Sequence, residues 1–569
     1  MGSRRRAIPR ARWLAALLSV AALLLLTTAA ANAQPAQPAR QAAVMSQRSA
    51  AGAILPQVSC AAMESHDFTA VPDAASRISS AAGTSLNGTT YCEVKGYIAP
   101  QTSFELLLPE STWHGDYVQE GCGGYCGAAS ISAEPAVSTG CPQVTGNEFV
   151  LATDDQGHES PSGTDGAWAA SDLALRVVFG YTSEHSLANL AKAAIRVYYG
   201  TGPADSYFDG CSDGGHEALD LAQRYPDDFN GIIAGAPANN WAPLLGLFES
   251  WLAVANTNPQ GHQILTLAKL PALHAAVMKA CADADGVIQD PRDCTFNPAS
   301  ITCPSGTDKP TCLTPAQVTV VREVYRGPTD PAGRNLYDGG EPYGSELAWS
   351  WFINPQTDNN PADTVAGQFG LNYLKYMASV PNPPASFTLS DLKFTDAEYN
   401  ELEQFGGVYN ATDPDLSAFR AHGGKLIIYQ GWADQAIPPF STIDYYAAVE
   451  KTMGGFASSQ GFSRLYMVPG GYHCLAGGDP AVTANFLTPL TNWVEKGQAP
   501  GALTFPVTAQ TTGSKITSLT VPPLDAAAPA PRNNGLNSNY HYIGINSAFT
   551  PEQTWCTQRG FTTVCRNRR

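Results

Sequence analysis

The sequence predicts an α/β fold built on a parallel sheet, and three observations predict it. Short apolar strands alternate with helices of 3.6-residue spacing across residues 146–238. That alternation stops over residues 239–421 and then resumes. A Gly-x-Ser-x-Gly turn falls where a strand passes into a helix.

Taken in order, residues 146–153 (GNEFVLAT) form a short apolar run rich in β-formers and read as a buried strand. Ser186 to Tyr199 carries Leu, Ala, Ile and Val at helical spacing. Asp205 to Gly210 is a strand running into a glycine turn, and Glu217 to Arg224 is a helix. Gly231 to Ala236 (GIIAGA) is another buried strand. Residues 239–421 then hold aromatic helices, bracketed cysteines and Pro/Asn-rich loops, with no strand–helix alternation. Strands resume at Gly424 to Gln430 and Arg464 to Pro469, followed by a helix at Ala484 to Lys496. The reading is one core, 52–238 plus 422–569, interrupted by an inserted domain at 239–421. There are no internal repeats.

The first 33 residues read as a signal peptide rather than as fold. Five arginines between Arg4 and Arg12 precede an apolar run from Leu14 to Thr27 and a small-x-small site at Ala31-Asn32-Ala33. An uncleaved N-terminal anchor is the competing reading, although the run is short for a membrane span. Residues 34–51, rich in Ala, Gln and Pro, read as a disordered leader. The formal net charge is −17, and losing the leader's arginines makes it more negative. Such a surface argues against nucleic acid and anionic membranes as partners. It says little about a small-molecule substrate and nothing about oligomeric state. All thirteen cysteines follow the apolar run, and the short brackets Cys281/Cys294, Cys303/Cys312 and Cys556/Cys565 read as local disulfides of an exported chain. The expected location is extracellular.

Gly210-Cys211-Ser212-Asp213-Gly214 is the turn that carries chemistry. Glycines at both ends let a strained backbone project the serine hydroxyl from the sheet top. A nucleophilic serine needs a base, and the base an orienting acid; in α/β-hydrolases these follow in the order Ser, Asp or Glu, His. Asp434 lies just beyond the strand ending at Gln430, and His473 just beyond the strand ending at Pro469. Both are C-terminal strand ends, where open α/β sheets place their sites. Cys211 precedes the serine and Cys474 follows the histidine. If Ser212 and His473 are within hydrogen-bond reach, their neighbours fall within disulfide distance, so Cys211–Cys474 is expected to tie nucleophile to base. An oxyanion hole needs two backbone N–H donors. Asp213 offers one, and the Gly121-Cys122-Gly123-Gly124 loop the other, from either Gly123 or Gly124.

With these motifs in place the chain resembles the tannase and feruloyl esterase family, which includes bacterial mono-(2-hydroxyethyl) terephthalate hydrolases. The resemblance rests on Ser206 to Leu219 (SYFDGCSDGGHEAL), Arg224 to Trp241 (RYPDDFNGIIAGAPANNW), Gly423 to Pro439 (GGKLIIYQGWADQAIPP), Gly470 to Gly478 (GGYHCLAGG) and Trp493 to Pro500 (WVEKGQAP). It implies an α/β-hydrolase core, a large lid inserted before the catalytic acid, and hydrolysis of aromatic-acid esters such as feruloyl, galloyl or hydroxyethyl terephthalate esters. It also implies the pairs Cys60–Cys92, Cys281–Cys294, Cys303–Cys312 and Cys556–Cys565. Of the remaining three cysteines, Cys126–Cys141 is the expected pair, with Cys122 free.

The family's lid calcium loop follows the cysteine matching Cys281, and here one of its two tandem units is missing. Asp283, Asp285 and Asp290 with the carbonyl of Val287 could still form a small oxygen site for Ca²⁺, or the segment is simply an acidic turn. The chemistry itself calls for no cofactor. Candidate walls for an aromatic acyl group are Trp241, Phe248, Trp251, Trp349, Trp351, Phe352, Phe369, Tyr373 and Tyr376. Competing functions are a general carboxylesterase or another acyl hydrolase, and a non-catalytic binding protein on the same fold.

Overall fold

A computed structural model describes residues 52–86, 88–131, 147–353, 361–510 and 516–528, with the backbone of 556–559 and 562–565. The expected signal peptide and leader lie outside these residues. No helix among the described residues is long and apolar enough to cross a membrane.

Nine strands form the central sheet: β1 (Ser76–Leu86), β2 (Thr89–Ile98), β3 (Thr102–Pro109), β4 (Asp116–Glu120), β5 (Phe149–Asp154), β6 (Asp205–Cys211), β7 (Gly231–Gly235), β8 (Lys425–Gly431) and β9 (Ser463–Val468). They lie in the order β1-β2-β3-β5-β4-β6-β7-β8-β9. The first four in that order pair antiparallel. From β5 across to β9 every pair is parallel. This is the α/β-hydrolase arrangement. The antiparallel edge was not read from sequence. There the alternation is half exposed, as in β1, where serines, glycine and threonine occupy many outward positions and leave no apolar run.

The parallel strands are buried on both faces, which explains their continuous apolar runs. In β7 all five residues are buried. Ile232 and Ala234 join the core shared with α2 (Asp213–Arg224) and the inserted segment, while Ile233 faces the other core. In β8, Leu426 and Ile428 divide from Ile427 in the same way. The second core is closed by α6 (Leu487–Lys496), with Tyr429 stacked on Phe486 at 4.6 Å between ring centroids. Helix α1 (Ser183–Tyr199) covers the first face and ends at Gly200 in a left-handed cap.

Among the described residues no sheet strand comes from between β7 and β8. That stretch supplies helices instead. Trp241–Pro243, Leu244–Glu249 and Ser250–Ala255 run on as one helical length, α3, whose middle is a π-turn. Val365–Tyr376 forms α4, and Pro439–Thr452, just after β8, forms α5. Thr364 caps α4 by accepting the Gly367 N–H at 2.8 Å.

Candidate active site

Three parallel strands, β6 and the adjacent β8 and β9 one strand further across the sheet, each deliver one residue. Ser212 follows β6 directly, at φ 69° and ψ −117°, a left-handed backbone that a serine rarely adopts. The turn is held by close packing of glycines. A Cβ at Gly210 would sit 2.4 Å from the carbonyl oxygen of Gly214, and one at Gly215 would sit 2.2 Å from that of Gly235. Helix α2 then begins, so the serine stands at its N-terminus.

Asp434 lies three residues past the end of β8, and His473 five past the end of β9. His473 Nε2 is 2.9 Å from Ser212 Oγ. On the other side of the ring, Nδ1 is 3.1 and 3.0 Å from the two oxygens of Asp434. The Asp434 carboxylate is wholly buried. Oδ1 accepts the N–H groups of Ala436 and Ile437, each at 2.9 Å. Oδ2 accepts from Gln430 Nε2 at 2.8 Å. Gln430 is itself fixed, donating to Ile437 O at 3.0 Å and accepting from Thr442 Oγ1 at 2.9 Å. Cys211 and Cys474 are joined, with their Cα atoms 5.9 Å apart. Cys474 and Leu475 both take left-handed φ, turning the chain back under the imidazole.

A cavity of about 700 Å³ opens at the serine, lined by Gly123, Gly124, Ser212, Asp213 and His473 among others. The N–H groups of Gly123, Gly124 and Asp213 have no acceptor among the described residues, and all three residues line the cavity. Of the nine candidate aromatics, Trp241, Trp351, Phe352 and Phe369 line this cavity. Phe248, Trp349 and Tyr373 are instead buried in the core of the inserted segment. Trp251 packs edge-on against Phe394.

The structure corrects one disulfide. Cys122 pairs with Cys126, their Cα atoms 5.5 Å apart, in place of the expected Cys126–Cys141 pair with Cys122 free. The glycines between them allow a tight turn, closed by Cys126 N–H donating to Gly123 O at 3.1 Å. Cys141 lies outside the described residues. Cys60–Cys92, Cys281–Cys294 and Cys303–Cys312 are bonded as expected. Cys556 and Cys565 face each other across the two-stranded ladder of Cys556–Arg559 and Thr562–Cys565.

The acidic loop is held by hydrogen bonds of its own. Asp283 Oδ1 accepts the N–H groups of Asp285 and Val287, and its Oδ2 accepts from Gln289. The Val287 carbonyl turns inward to Asp283 N–H at 3.0 Å. Asp290 is paired with the Arg292 guanidinium through both oxygens. Of the donors expected for Ca²⁺, Asp283, Asp290 and the Val287 carbonyl thus have partners within their own loop.

Sequence reasoning missed the buried acids around the elbow. Glu217, one turn along α2 from Asp213, accepts from Cys122 N–H at 3.3 Å and from Gln156 Nε2. Burial, with the charges of Glu184, Asp213 and Asp154, pushes its carboxyl well above the usual range. Burial likewise pushes Asp213 up to about 6, against the pull of His216. No pattern in the sequence marks these residues, because their partners come from separate strands.

The model of the family described as tannase and feruloyl esterase matches residues 86–526. The mono(2-hydroxyethyl) terephthalate hydrolase of Piscinibacter sakaiensis is 30% identical over 470 residues, 72% of this chain and 77% of that protein. A protein of Arthroderma benhamiae named "Probable feruloyl esterase" is 32% identical over 448 residues, 76% of this chain and 80% of its own. Among solved structures, feruloyl esterase B of Aspergillus oryzae superposes with a TM-score of 0.68 at 22% identity, over 82% of this chain and 96% of that one. The tannin acyl hydrolase of Aspergillus niger gives 0.62 at 21% identity, over 79% and 87%. The chain belongs to the tannase and feruloyl esterase family and is a carboxylic ester hydrolase.

Proposed function

We propose that the chain is a secreted serine esterase that cleaves esters of aromatic, phenolic acids by two-step acyl transfer. Ser212 attacks the ester carbonyl while His473 Nε2 takes its proton. Asp434 holds the imidazole with Nδ1–H inward and stabilises its cationic form. The N–H groups of Asp213 and of Gly123 or Gly124 receive the oxyanion, a contribution of roughly 10²–10³ in kcat per donor. The alcohol leaves with the proton from His473, and water activated by the same residue hydrolyses the acyl-enzyme.

The observation that carries this reading is the 2.9 Å contact from His473 Nε2 to Ser212 Oγ, with the Asp434 carboxylate behind the ring. An aromatic acyl group is supported by the aromatic lining of the cavity and by relatives named for feruloyl and terephthalate esters. Export is supported by five disulfides among the described residues and by the basic, apolar and small-residue order of the N-terminus. The test is a panel of methyl ferulate, methyl gallate, mono(2-hydroxyethyl) terephthalate and a peptide, run on the intact protein and on Ser212→Ala. Cleavage of the aromatic esters that vanishes in the variant is expected. Activity unchanged by Ser212→Ala removes the serine from the reaction.

A further inference from the structure

Helix α3 presents Trp241, Leu244, Leu245 and Glu249 to the cavity beside Ser212. Their spacing places them on one helical face. Three are apolar and suit a ring. The fourth is a carboxyl, only 3% exposed, whose Oε2 is buried without a hydrogen-bond partner among the described residues. Trp241 Nε1 is also buried and has no partner among the described residues. Buried polar groups are costly unless something pairs with them, so an unpaired carboxyl in a cavity wall points to a ligand group that completes it.

The sign of that group follows from its surroundings. Among the described residues no lysine or arginine lines the cavity, whereas Glu120, Asp209 and Asp213 do. An anionic substituent brought beside Glu249 would lose its water and find no cation. Burial pushes the Glu249 carboxyl well above the usual carboxylate range and so favours its neutral acid form, which both donates and accepts. A phenolic hydroxyl also does both.

Resting on the esterase reading of this site, we propose that Glu249 is a specificity-determining residue that receives a hydroxyl on the aromatic ring of the acyl group. The same wall turns away acyl groups ending in a carboxylate. The pocket is thereby assigned to hydroxylated aromatic acids rather than to terephthalate monoesters.

The test measures kcat/KM of the intact protein on methyl 4-hydroxycinnamate, methyl cinnamate and mono(2-hydroxyethyl) terephthalate, with 4-nitrophenyl acetate alongside. The hydroxycinnamate is expected to exceed the cinnamate by about tenfold or more, since a site built to bond a hydroxyl rejects the analogue lacking it. It is also expected to exceed the terephthalate monoester. Glu249→Leu should collapse the hydroxyl preference to within about twofold, and Glu249→Gln, which still donates and accepts, should keep most of it. A wild-type ratio near one, or faster cleavage of the terephthalate monoester, overturns the proposal without recourse to a variant. An unchanged ratio in active Glu249→Leu does the same, as does cleavage of 4-nitrophenyl acetate with none of the three aromatic esters. Failure on all four substrates overturns the esterase reading instead.

Discussion

Replacing Asp434 by Asn tests the orientation of His473 with almost no change in volume. Both Asp434 oxygens accept hydrogen bonds: Oδ1 from the N–H groups of Ala436 and Ile437, and Oδ2 from Gln430 Nε2 and His473 Nδ1. An Asn must keep its oxygen toward the two backbone donors, so its NH₂ takes the Oδ2 position. There it meets the Gln430 amide, which cannot rotate freely because Thr442 Oγ1 and Ile437 O fix both of its ends. It also meets His473 Nδ1–H. The imidazole relieves that clash by moving its proton to Nε2, so that Nδ1 accepts from the Asn. Nε2–H then points at Ser212 Oγ and can no longer take the serine proton. Loss of the correct tautomer costs about 10⁴ in kcat, the figure measured for the corresponding change in a serine protease, equivalent to about 5 kcal/mol. The assay is steady-state hydrolysis of a 4-nitrophenyl ester, and KM should stay within about threefold because no substrate contact is touched. A fall in kcat of less than tenfold, with the fold intact by circular dichroism, would refute this account of Asp434.

Three further outcomes follow from the packing around the site. His274 lies buried between Glu346 at 2.8 Å and Asp479 at 3.2 Å; burial alone would depress it, but the two carboxylates outweigh that and raise it to about 9. Its stabilisation is thus fully present below about pH 6.5 and lost as pH rises through 9, so the Tm gap between wild type and His274→Gln, worth about 3 kcal/mol at most, should narrow across that window; a gap independent of pH would count against the ion triad. Changing Cys211 and Cys474 together to serine opens a loop with a sequence separation of 263 residues. The loss has an upper figure of about 5 kcal/mol, read as a lower unfolding temperature under non-reducing conditions, and an unchanged temperature would show that the cross-link adds nothing. Because Asp283 and Asp290 are engaged within their own loop, a chelator should leave activity and melting unaltered; a drop reversed by added Ca²⁺ would mean that the loop rearranges to bind it.

Much of the candidate site was legible because it is local. Ser212, Asp434 and His473 each follow a strand of continuous apolar residues, and a strand end is visible in sequence even when its neighbours are not. The cysteines beside Ser212 and His473 added a distance constraint between two distant segments. What stayed hidden depends on contacts between remote parts of the chain. Gln430 reads as the last residue of a strand, and nothing marks it as the group that fixes Asp434. Glu249 reads as a polar position on an aromatic helix, and only the fold turns it toward the serine. The antiparallel strands Ser76–Leu86 and Thr89–Ile98 were missed because their alternation is diluted by Ser, Thr and Gly. Cys122–Cys126 was misread because cysteines four apart offer several partners, and only the turn at Gly123 and Gly124 decides among them.

The Cys211–Cys474 bond also changes what cutting the chain would do. Every residue of the inserted segment lies between these two cysteines, so the bond and the backbone together form a closed ring. A single protease cut anywhere between Ser212 and His473 opens that ring without releasing a fragment. The two halves of the site, one on each side of the cut, remain on one covalent particle. Such a nicked enzyme would run as two bands on a gel only after reduction. Surface loops of the insertion can therefore be severed while Ser212 and His473 remain covalently linked.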